Sequence, residues 1–230
     1  MRRIALISVT VLVAVLMPAL LTITALRIVA NDWIVSFEYD HGRVPEDRYG
    51  LTREQRTELA RVGLESISPG GRGIALLAEA RLPGGEPAFN ARELNHMQDV
   101  RDTFGVAMLV QTVLLVLLAA TALALAFRPA TRSAVLRGLR AGAAATLAVA
   151  AALGLFMLVA WDSFFVRFHG VFFDADTWRF PSTDTLIRLY PDEFWIGVAA
   201  WIAAITVALA LLLWGLAIWW LRHTPKEPAC

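Results

Sequence analysis

Apolar residues are concentrated in four long stretches of this chain, at about 4–29, 105–127, 142–161 and 194–221. Each stretch is long enough for an α-helix to cross a hydrocarbon core of ~30 Å at a rise of ~1.5 Å per residue. Soluble domains do not contain such runs, and the hydrophobic fraction of 57% agrees with a membrane protein. The pattern therefore predicts an all-α integral membrane protein with four transmembrane helices.

Charged residues are distributed unevenly around these four stretches. Nineteen of the twenty acidic residues lie in two loops, about 31–104 and 162–193, whereas arginines dominate both termini and the link at about 128–141. Basic residues mark the cytoplasmic side, so both termini and the link are predicted to be cytoplasmic and the two acidic loops extracytoplasmic. This topology explains the arginines without a nucleic-acid partner. The single cysteine, Cys230, excludes an internal disulfide and is assigned no role.

The first outer loop contains two signals for the start of a helix. Thr52, followed three residues later by a glutamine, predicts a capping box and a helix through about Ile67. Asn90 followed by Glu93 repeats the pattern. No helix breaker precedes the second span, so this second helix is expected to continue into the membrane. The intervening residues 73–89 are expected to form a hairpin or an irregular ribbon.

The second outer loop is short, acidic and rich in aromatic residues. It places His169 among phenylalanines in the run FFVRFHGVFF. Aromatic side chains suit a segment at the level of the lipid headgroups, and the two outer loops are expected to pack as a cap at the outer interface. A polar ring among aromatic side chains needs a hydrogen-bond partner, which favours a functional role for His169. A histidine that anchors the segment at the membrane interface would show the same pattern.

The other candidate, His96, is spaced with two carboxylates. Glu93, His96 and Asp99 follow at i, i+3 and i+6, within ~120° of one helix face, where a carboxylate can orient an imidazole. The same spacing also fits ordinary polar residues on an exposed helix. Because both histidines stand a few residues outside a span on the same side, we expect one acid–base site with the two rings less than ~10 Å apart.

Other kinds of site are less well supported by the sequence. The two histidines could ligate zinc together with carboxylates, for which the candidates are Glu93, Asp99, Asp174 and Asp176. However, no HExxH or similarly tight ligand motif is present, so no metal and no cofactor are expected. A serine nucleophile lacks the GxSxG pattern. No charged residue lies in the middle of a predicted span, so an ion pathway is not indicated.

Two motifs in the outer loops resemble a known family, the bacterial lipoprotein intramolecular transacylases (Lit), which are four-span membrane proteins. The first motif lies in the first loop and consists of Phe89, Asn90, Glu93, His96, Met97, Asp99 and Val100. The second lies in the second loop and consists of Phe168, His169, Phe172, Phe173 and Trp178. The resemblance begins at Phe37-Glu38-Tyr39, ends at Phe194 and covers both outer loops.

The resemblance implies an acyl transfer on diacylglyceryl-modified lipoproteins in the bacterial cell membrane. An acyl chain would move from the glycerol of the lipidated N-terminal cysteine to the α-amino group of that cysteine, giving the lyso form. The two functional histidines of the family carry over onto His96 and His169. The matching segments also imply a supporting set of residues, namely Asn90, Glu93, Asp99, Trp178 and Tyr39.

Acid–base chemistry is sufficient for such a transfer. The attacking amine must lose a proton and the departing glycerol oxygen must gain one, and imidazoles perform both steps near neutral pH. The amine and the ester belong to one molecule, so no acyl-enzyme is required. We expect His169 to be the general base and His96 to relay a proton or to hydrogen-bond the oxyanion. Two other functions stay open: a non-catalytic membrane interaction or assembly protein, and a metal-dependent membrane hydrolase.

Overall fold

The structure is a computed structural model that describes residues 2–41, 44–126, 129–174 and 177–223. These residues form helices joined by short turns, with a single isolated β-bridge and no strand among them. Asp176 and Cys230 lie outside the described residues. In chain order the helices are α1 (Arg2–Val29), α2 (Asp32–Asp40), α3 (Arg53–Ile67), α4 (Ile74–Glu79), α5 (Ala91–Ala126), α6 (Pro129–Val159), α7 (Trp161–Phe172), α8 (Thr185–Leu189) and α9 (Asp192–His223).

Four of the described helices are long and apolar enough to cross a membrane. Their qualifying segments are Arg3–Val29 in α1, Ala91–Leu123 in α5, Thr131–Val159 in α6 and Asp192–His223 in α9. This confirms the predicted all-α class with four candidate spans. The helices α5 and α6 are longer than the apolar stretches predicted from the sequence. Their polar flanking residues stay helical, since a helix satisfies their backbone hydrogen bonds.

The described residues divide into two compact units. The first, called here the span unit, draws on residues 1–26, 109–159 and 202–230. Its core includes Val13 and Met17 of α1. Gly142 of α6 permits a close helix contact, since a Cβ there would lie 2.6 Å from Cβ of Met17. The amide of Gln111 donates a hydrogen bond of 3.0 Å to the hydroxyl of Thr24, which satisfies polar groups within the span unit.

The second unit contains both candidate histidines and is called here the histidine unit. It draws on residues 27–108 and 160–201, and therefore combines both predicted outer loops. Its apolar core includes Leu59 of α3, Leu77 of α4 and Leu189 of α8. Whether this unit forms a cap at the outer interface is not decided by its internal packing and stays a prediction.

The capping box at Thr52 is confirmed. Its hydroxyl accepts a hydrogen bond from the backbone N–H of Gln55 at 3.3 Å, and the Gln55 side chain accepts one from the backbone N–H of Thr52 at 2.9 Å. The helix that follows, α3, ends at Ile67 as expected. The continuation of the Asn90 helix into the second span is also confirmed, because α5 is unbroken over 36 residues.

The expected ribbon over residues 73–89 is only partly correct. The segment begins with α4, a single short helix, and only then turns back through one antiparallel bridge between Arg81 and Pro87. Gly85, with φ at 93°, makes the turn that the glycine predicts. The aromatic loop also contains an unexpected element, since His169 lies on the twelve-residue helix α7 rather than in an irregular segment.

Candidate active site

The side chains of His96 and His169 lie next to each other in the histidine unit. His96 is carried by α5 and His169 by α7, and their ring centroids are 6.5 Å apart with the ring planes inclined by 27°. This distance agrees with the expectation of a shared site. It is energetically unfavourable for both imidazoles to be positively charged at this separation, because like charges in a partly buried site repel each other.

Aromatic rings surround the two imidazoles. The ring of His96 lies 5.0 Å from that of Phe173 and 5.4 Å from that of Phe180. The ring of His169 lies 4.0 Å from that of Phe165 and 4.6 Å from that of Trp178. The motif residues His96, His169 and Trp178 are thus brought together. The neighbouring rings of Phe165 and Phe180 were not predicted as site residues, although the aromatic density of the loop was visible in the sequence.

The protonation of His169 follows from its position on α7. Its Nδ1 lies 2.9 Å from the backbone carbonyl oxygen of Phe165. A carbonyl only accepts, so Nδ1 carries the proton and Nε2 keeps a free lone pair in the neutral ring. Burial lowers the pKa of His169 below its usual value of 6.5, partly offset by this hydrogen bond. His169 is therefore neutral at pH 7, with Nε2 available as a base.

His96 presents a buried nitrogen without a partner. The residue is 8% exposed, and its Nδ1 has no hydrogen-bond partner among the described residues. Such groups are rare in folded proteins because a buried polar atom loses its hydration without compensation. A substrate polar group beside this atom would remove that cost.

Asn90 and Glu93 form the predicted cap at the start of α5, but the carboxylate of Glu93 does not bind the imidazole of His96. The Asn90 side chain accepts a hydrogen bond from the backbone N–H of Glu93 at 3.1 Å and caps α5. Each oxygen of the Glu93 carboxylate accepts a backbone N–H, one from Asn90 at 2.8 Å and one from Leu186 at 2.7 Å. Glu93 therefore joins the start of α5 to α8 rather than orienting the imidazole of His96. Asp99 lies exposed on α5.

Tyr39 of α2 stabilises α8 through a hydrogen bond. Its hydroxyl donates a hydrogen bond of 2.6 Å to the carbonyl oxygen of Leu189, and the residue is fully buried. Burial raises the pKa of Tyr39 to about 12, against the opposing effect of the neighbouring Arg56 guanidinium. Tyr39 is therefore a neutral hydrogen-bond donor at physiological pH. Its hydrogen bond stabilises α8, and its place among the supporting residues stays a prediction.

Arg56 is a buried cation that sequence reasoning missed. It is 4% exposed, and its guanidinium donates to the carbonyl oxygens of Pro45 and Arg188. Nearby, Arg188 forms a two-point ion pair with Asp47, at 3.1 and 2.9 Å. Burial alone would raise the pKa of Asp47, but hydrogen bonds from Arg188 and from backbone N–H groups lower it overall. These contacts fix the segment that leads from the aromatic loop into α9.

The metal-site alternative has no cluster to support it in the described part of the chain. No group of three or more His, Cys, Asp or Glu side chains there is arranged to hold a metal ion. The predicted ligands Glu93 and Asp174 have other surroundings, since Glu93 binds backbone N–H groups and Asp174 is exposed.

Comparison with known proteins assigns the chain to one family and its fold to the solved structures of that family. The sequence model of the family described as "Lipoprotein intramolecular transacylase Lit" matches residues 9–195, a range that contains both histidines. The chain belongs to this family. The resemblance found in the two outer-loop motifs is thereby confirmed, and Lit membership makes the chain a member of a family of acyl-transferring membrane enzymes.

Solved Lit structures share the fold. The in meso structure of the membrane-integral Lit from Bacillus cereus is 19% identical, covers 93% of this chain and 94% of its own, and has a TM-score of 0.76. A variant of the same protein with one histidine replaced by alanine gives a TM-score of 0.70 over 93% of this chain and 92% of its own. An uncharacterised protein from Aquifex aeolicus (strain VF5) is 29% identical over 188 residues, which are 81% of this chain and 82% of that protein.

Proposed function

We propose that this chain is a lipoprotein intramolecular transacylase whose two histidines perform acid–base catalysis. Its substrate is a lipoprotein with a diacylglyceryl-modified N-terminal cysteine, and its product is the lyso form with the acyl chain on the α-amino group. The observation that carries the proposal is the pairing of His96 and His169, 6.5 Å apart, in a chain of the Lit family.

The geometry of His169 suits it to be the general base. Its Nδ1–H donates a hydrogen bond to the Phe165 carbonyl oxygen, so in the neutral ring Nε2 carries the basic lone pair. An α-amino group has a pKa of ~8, so a neutral imidazole removes its proton at little cost as the amine attacks. The aromatic rings around His169 give it apolar surroundings, which disfavour water as a competing nucleophile.

The reaction balances without any further reactant. The amine nitrogen forms a bond to the ester carbonyl carbon, His169 takes the proton from that nitrogen, and the bond from the carbonyl carbon to the glycerol oxygen breaks. The departing glycerol oxygen takes up the proton that His169 removed from the amine, so the enzyme returns to its starting state. His96 assists by relaying that proton or by hydrogen-bonding the oxyanion of the tetrahedral intermediate.

The apolar surface of α7 suits a substrate that stays in the membrane. Val171 is 75% exposed, and Phe168 and Phe172 are each about half exposed. In our proposal this surface lies in the outer leaflet of the bacterial cell membrane, the termini are cytoplasmic, and the site opens to the outside. Membrane lipid and the acyl chains of the substrate then contact α7 while the reacting atoms reach His169.

Mass spectrometry of a lipoprotein's N-terminal peptide tests this function. Cells that lack other enzymes of this kind and express the chain should convert the diacylglyceryl form to the lyso form, and purified protein should do the same with a synthetic lipopeptide; fragment ions that place the acyl chain on the α-amino nitrogen or on the glycerol distinguish these two forms of equal mass. His169→Ala should abolish conversion, whereas His41→Ala, at an exposed histidine outside the ring cluster, should not. Unchanged substrate with well-folded wild-type protein would refute the proposal.

The same assay separates the two rival functions. A non-catalytic membrane interaction protein would leave the lipopeptide unconverted. A metal-dependent hydrolase would release free fatty acid, lose activity with a chelator and contain stoichiometric metal. An intramolecular transfer, in contrast, keeps the mass of the lipopeptide constant, because the acyl chain only changes its position.

A further inference from the structure

Unpartnered polar atoms of the histidine unit are gathered at the aromatic cluster. Among its described residues, three buried side-chain nitrogens have no hydrogen-bond partner: Nδ1 of His96, Nε1 of Trp161 and Nε1 of Trp178. The rings of His96 and Trp178 contact the ring of His169. The ring of Trp161 contacts that of Phe165. Buried polar atoms without partners are costly, and two of the three, Nδ1 of His96 and Nε1 of Trp178, belong to rings that lie beside His169. This pair indicates a place for polar atoms supplied by a ligand.

Trp178 brings an indole N–H donor beside the ring of His169. The residue is 9% exposed, and its ring centroid lies 4.6 Å from that of His169. An indole N–H can only donate, so it cannot act as an acid or a base in this reaction. It can, however, hydrogen-bond an oxygen that gains negative charge.

The environment of Trp178 strengthens this donor. The guanidinium carbon of Arg179 lies 5.1 Å from the centroid of the Trp178 ring. A cation at this distance is attracted to the ring electrons and draws electron density away from the N–H. The N–H therefore becomes a better donor to an oxyanion than an isolated indole would be.

We propose that the Nε1–H of Trp178 binds the carbonyl oxygen of the acyl group during its transfer. The inference rests on the proposed transacylase function and adds a catalytic residue to it. As the amine attacks, the carbonyl oxygen becomes an oxyanion and accepts the Trp178 N–H. The carbonyl forms again when the bond to the glycerol oxygen breaks. Nδ1 of His96 then interacts with the departing glycerol oxygen, so His96 and Trp178 serve two different oxygens of the substrate.

Trp178→Phe removes the N–H while keeping an aromatic ring beside His169. Removing one oxyanion donor costs about 10²- to 10³-fold in kcat, so a loss of this size with little change in KM is expected. Trp161→Phe is the matched control: it also removes a buried, unpartnered N–H, but Trp161 precedes His169 on α7 by eight residues, ~12 Å along the axis. Its kcat should stay near that of the wild type.

A change in the substrate shows whether the effect acts at the carbonyl. Replacing the ester carbonyl oxygen of the synthetic lipopeptide with sulfur weakens hydrogen bonds to that atom. The ratio of ester to thionoester rates should therefore be smaller in Trp178→Phe than in the wild type, a coupling that a loss of packing would not produce. If Trp178→Phe does not fold, benzothienylalanine at position 178, which replaces the N–H with sulfur in a ring of similar shape, takes its place.

The outcomes distinguish this inference from the function on which it rests. An inactive wild-type protein would refute the transacylase function itself. An active wild type with equal kcat in the Trp178 variant, an unchanged thionoester ratio, or an equal loss in Trp161→Phe would overturn the role of Trp178 alone.

Discussion

The Nδ1–H of His169 donates to the carbonyl oxygen of Phe165, one turn earlier on the same helix, at 2.9 Å. The two residues are adjacent on one face of α7, so the hydrogen bond and the ring contact between them are set by the helix itself. The helix thereby fixes which nitrogen of His169 is free. Because its own helix orients the imidazole of His169, the general-base role that we propose for it needs no carboxylate partner, and both oxygens of Glu93 bind backbone N–H groups.

The pH dependence of kcat/KM should show two ionisations on its acid side. The substrate α-amine, with a pKa of ~8, must be neutral, so the logarithm of kcat/KM should fall with a slope of one below that pH. His169 must also be neutral, and burial places its pKa below 6.5. The slope should therefore increase to two only below pH 6.5. A second break above pH 6.5 would contradict a buried His169 as the base.

Asparagine should replace His96 better than alanine does. The amide nitrogen of asparagine occupies nearly the position of Nδ1 in histidine, which is the unpartnered atom of His96. His96→Asn keeps a donor there but cannot relay a proton at neutral pH. We expect His96→Ala to lose about 10²-fold or more in kcat and His96→Asn to lose clearly less. Equal losses would show that His96 acts only by relaying a proton.

Asp47→Asn should destabilise the histidine unit. It removes the negative charge from a buried ion pair with Arg188, whose side chain is 10% exposed, and the unpaired guanidinium costs about 3 kcal/mol. Arg72→Gln, which breaks an exposed ion pair with Glu79, should cost less than about 1 kcal/mol. Thermal unfolding in detergent compares the two. An equal shift of the midpoint in both variants would contradict the role of burial.

Acid should weaken the wild type through the same ion pair. The pKa of Asp47 is lowered in the folded chain from its ordinary value of 3.8. The stability that the pair confers is therefore complete above pH 3.8 and is lost as the pH falls through the folded pKa. Asp47→Asn should remove this part of the pH dependence, which unfolding midpoints between pH 3 and pH 6 would reveal as a flatter curve.

Gly63→Ala should also destabilise the fold. A Cβ at this position of α3 would lie 2.2 Å from the hydroxyl oxygen of Tyr190, which donates a hydrogen bond of 2.7 Å to the carbonyl of Ala60. Overpacking and loss of this bond should cost about 1–3 kcal/mol. Gly105→Ala is the control, because a Cβ there meets no atom within 4 Å and alanine favours a helix. A Gly63 variant as stable as the Gly105 variant would show that Tyr190 moves freely.

Features encoded by neighbouring residues could be predicted from the sequence. The capping box at Thr52 and the helix start at Asn90 depend on side chains three residues away, and both are present. The four spans follow from apolar length alone. The adjacency of His96 and His169 was predicted from their similar offsets from the spans, together with the family motifs.

Features that depend on distant backbone atoms could not be predicted. Arg56 donates to the carbonyl of Arg188, 132 residues further along the chain, and nothing in the local pattern marks a surface arginine for burial. Glu93 was correctly placed in a cap, but its second oxygen binds the N–H of Leu186, 93 residues away. Helix α7 was missed because its N-cap, Ala160, offers no capping side chain and aromatic residues are moderate helix formers.

The unbroken course of α5 couples His96 to the bilayer. The helix has 36 residues, or ~54 Å, well beyond the ~30 Å of a hydrocarbon core, and His96 stands in its second turn. Its distance from the apolar part of α5 is therefore set by a count of helical turns and not by a loop conformation. A bilayer thicker or thinner than the apolar stretch tilts or shifts the whole helix, and the imidazole moves with it. For the acyl transfer that we propose, we therefore expect the rate to depend on lipid thickness as well as on pH and substrate.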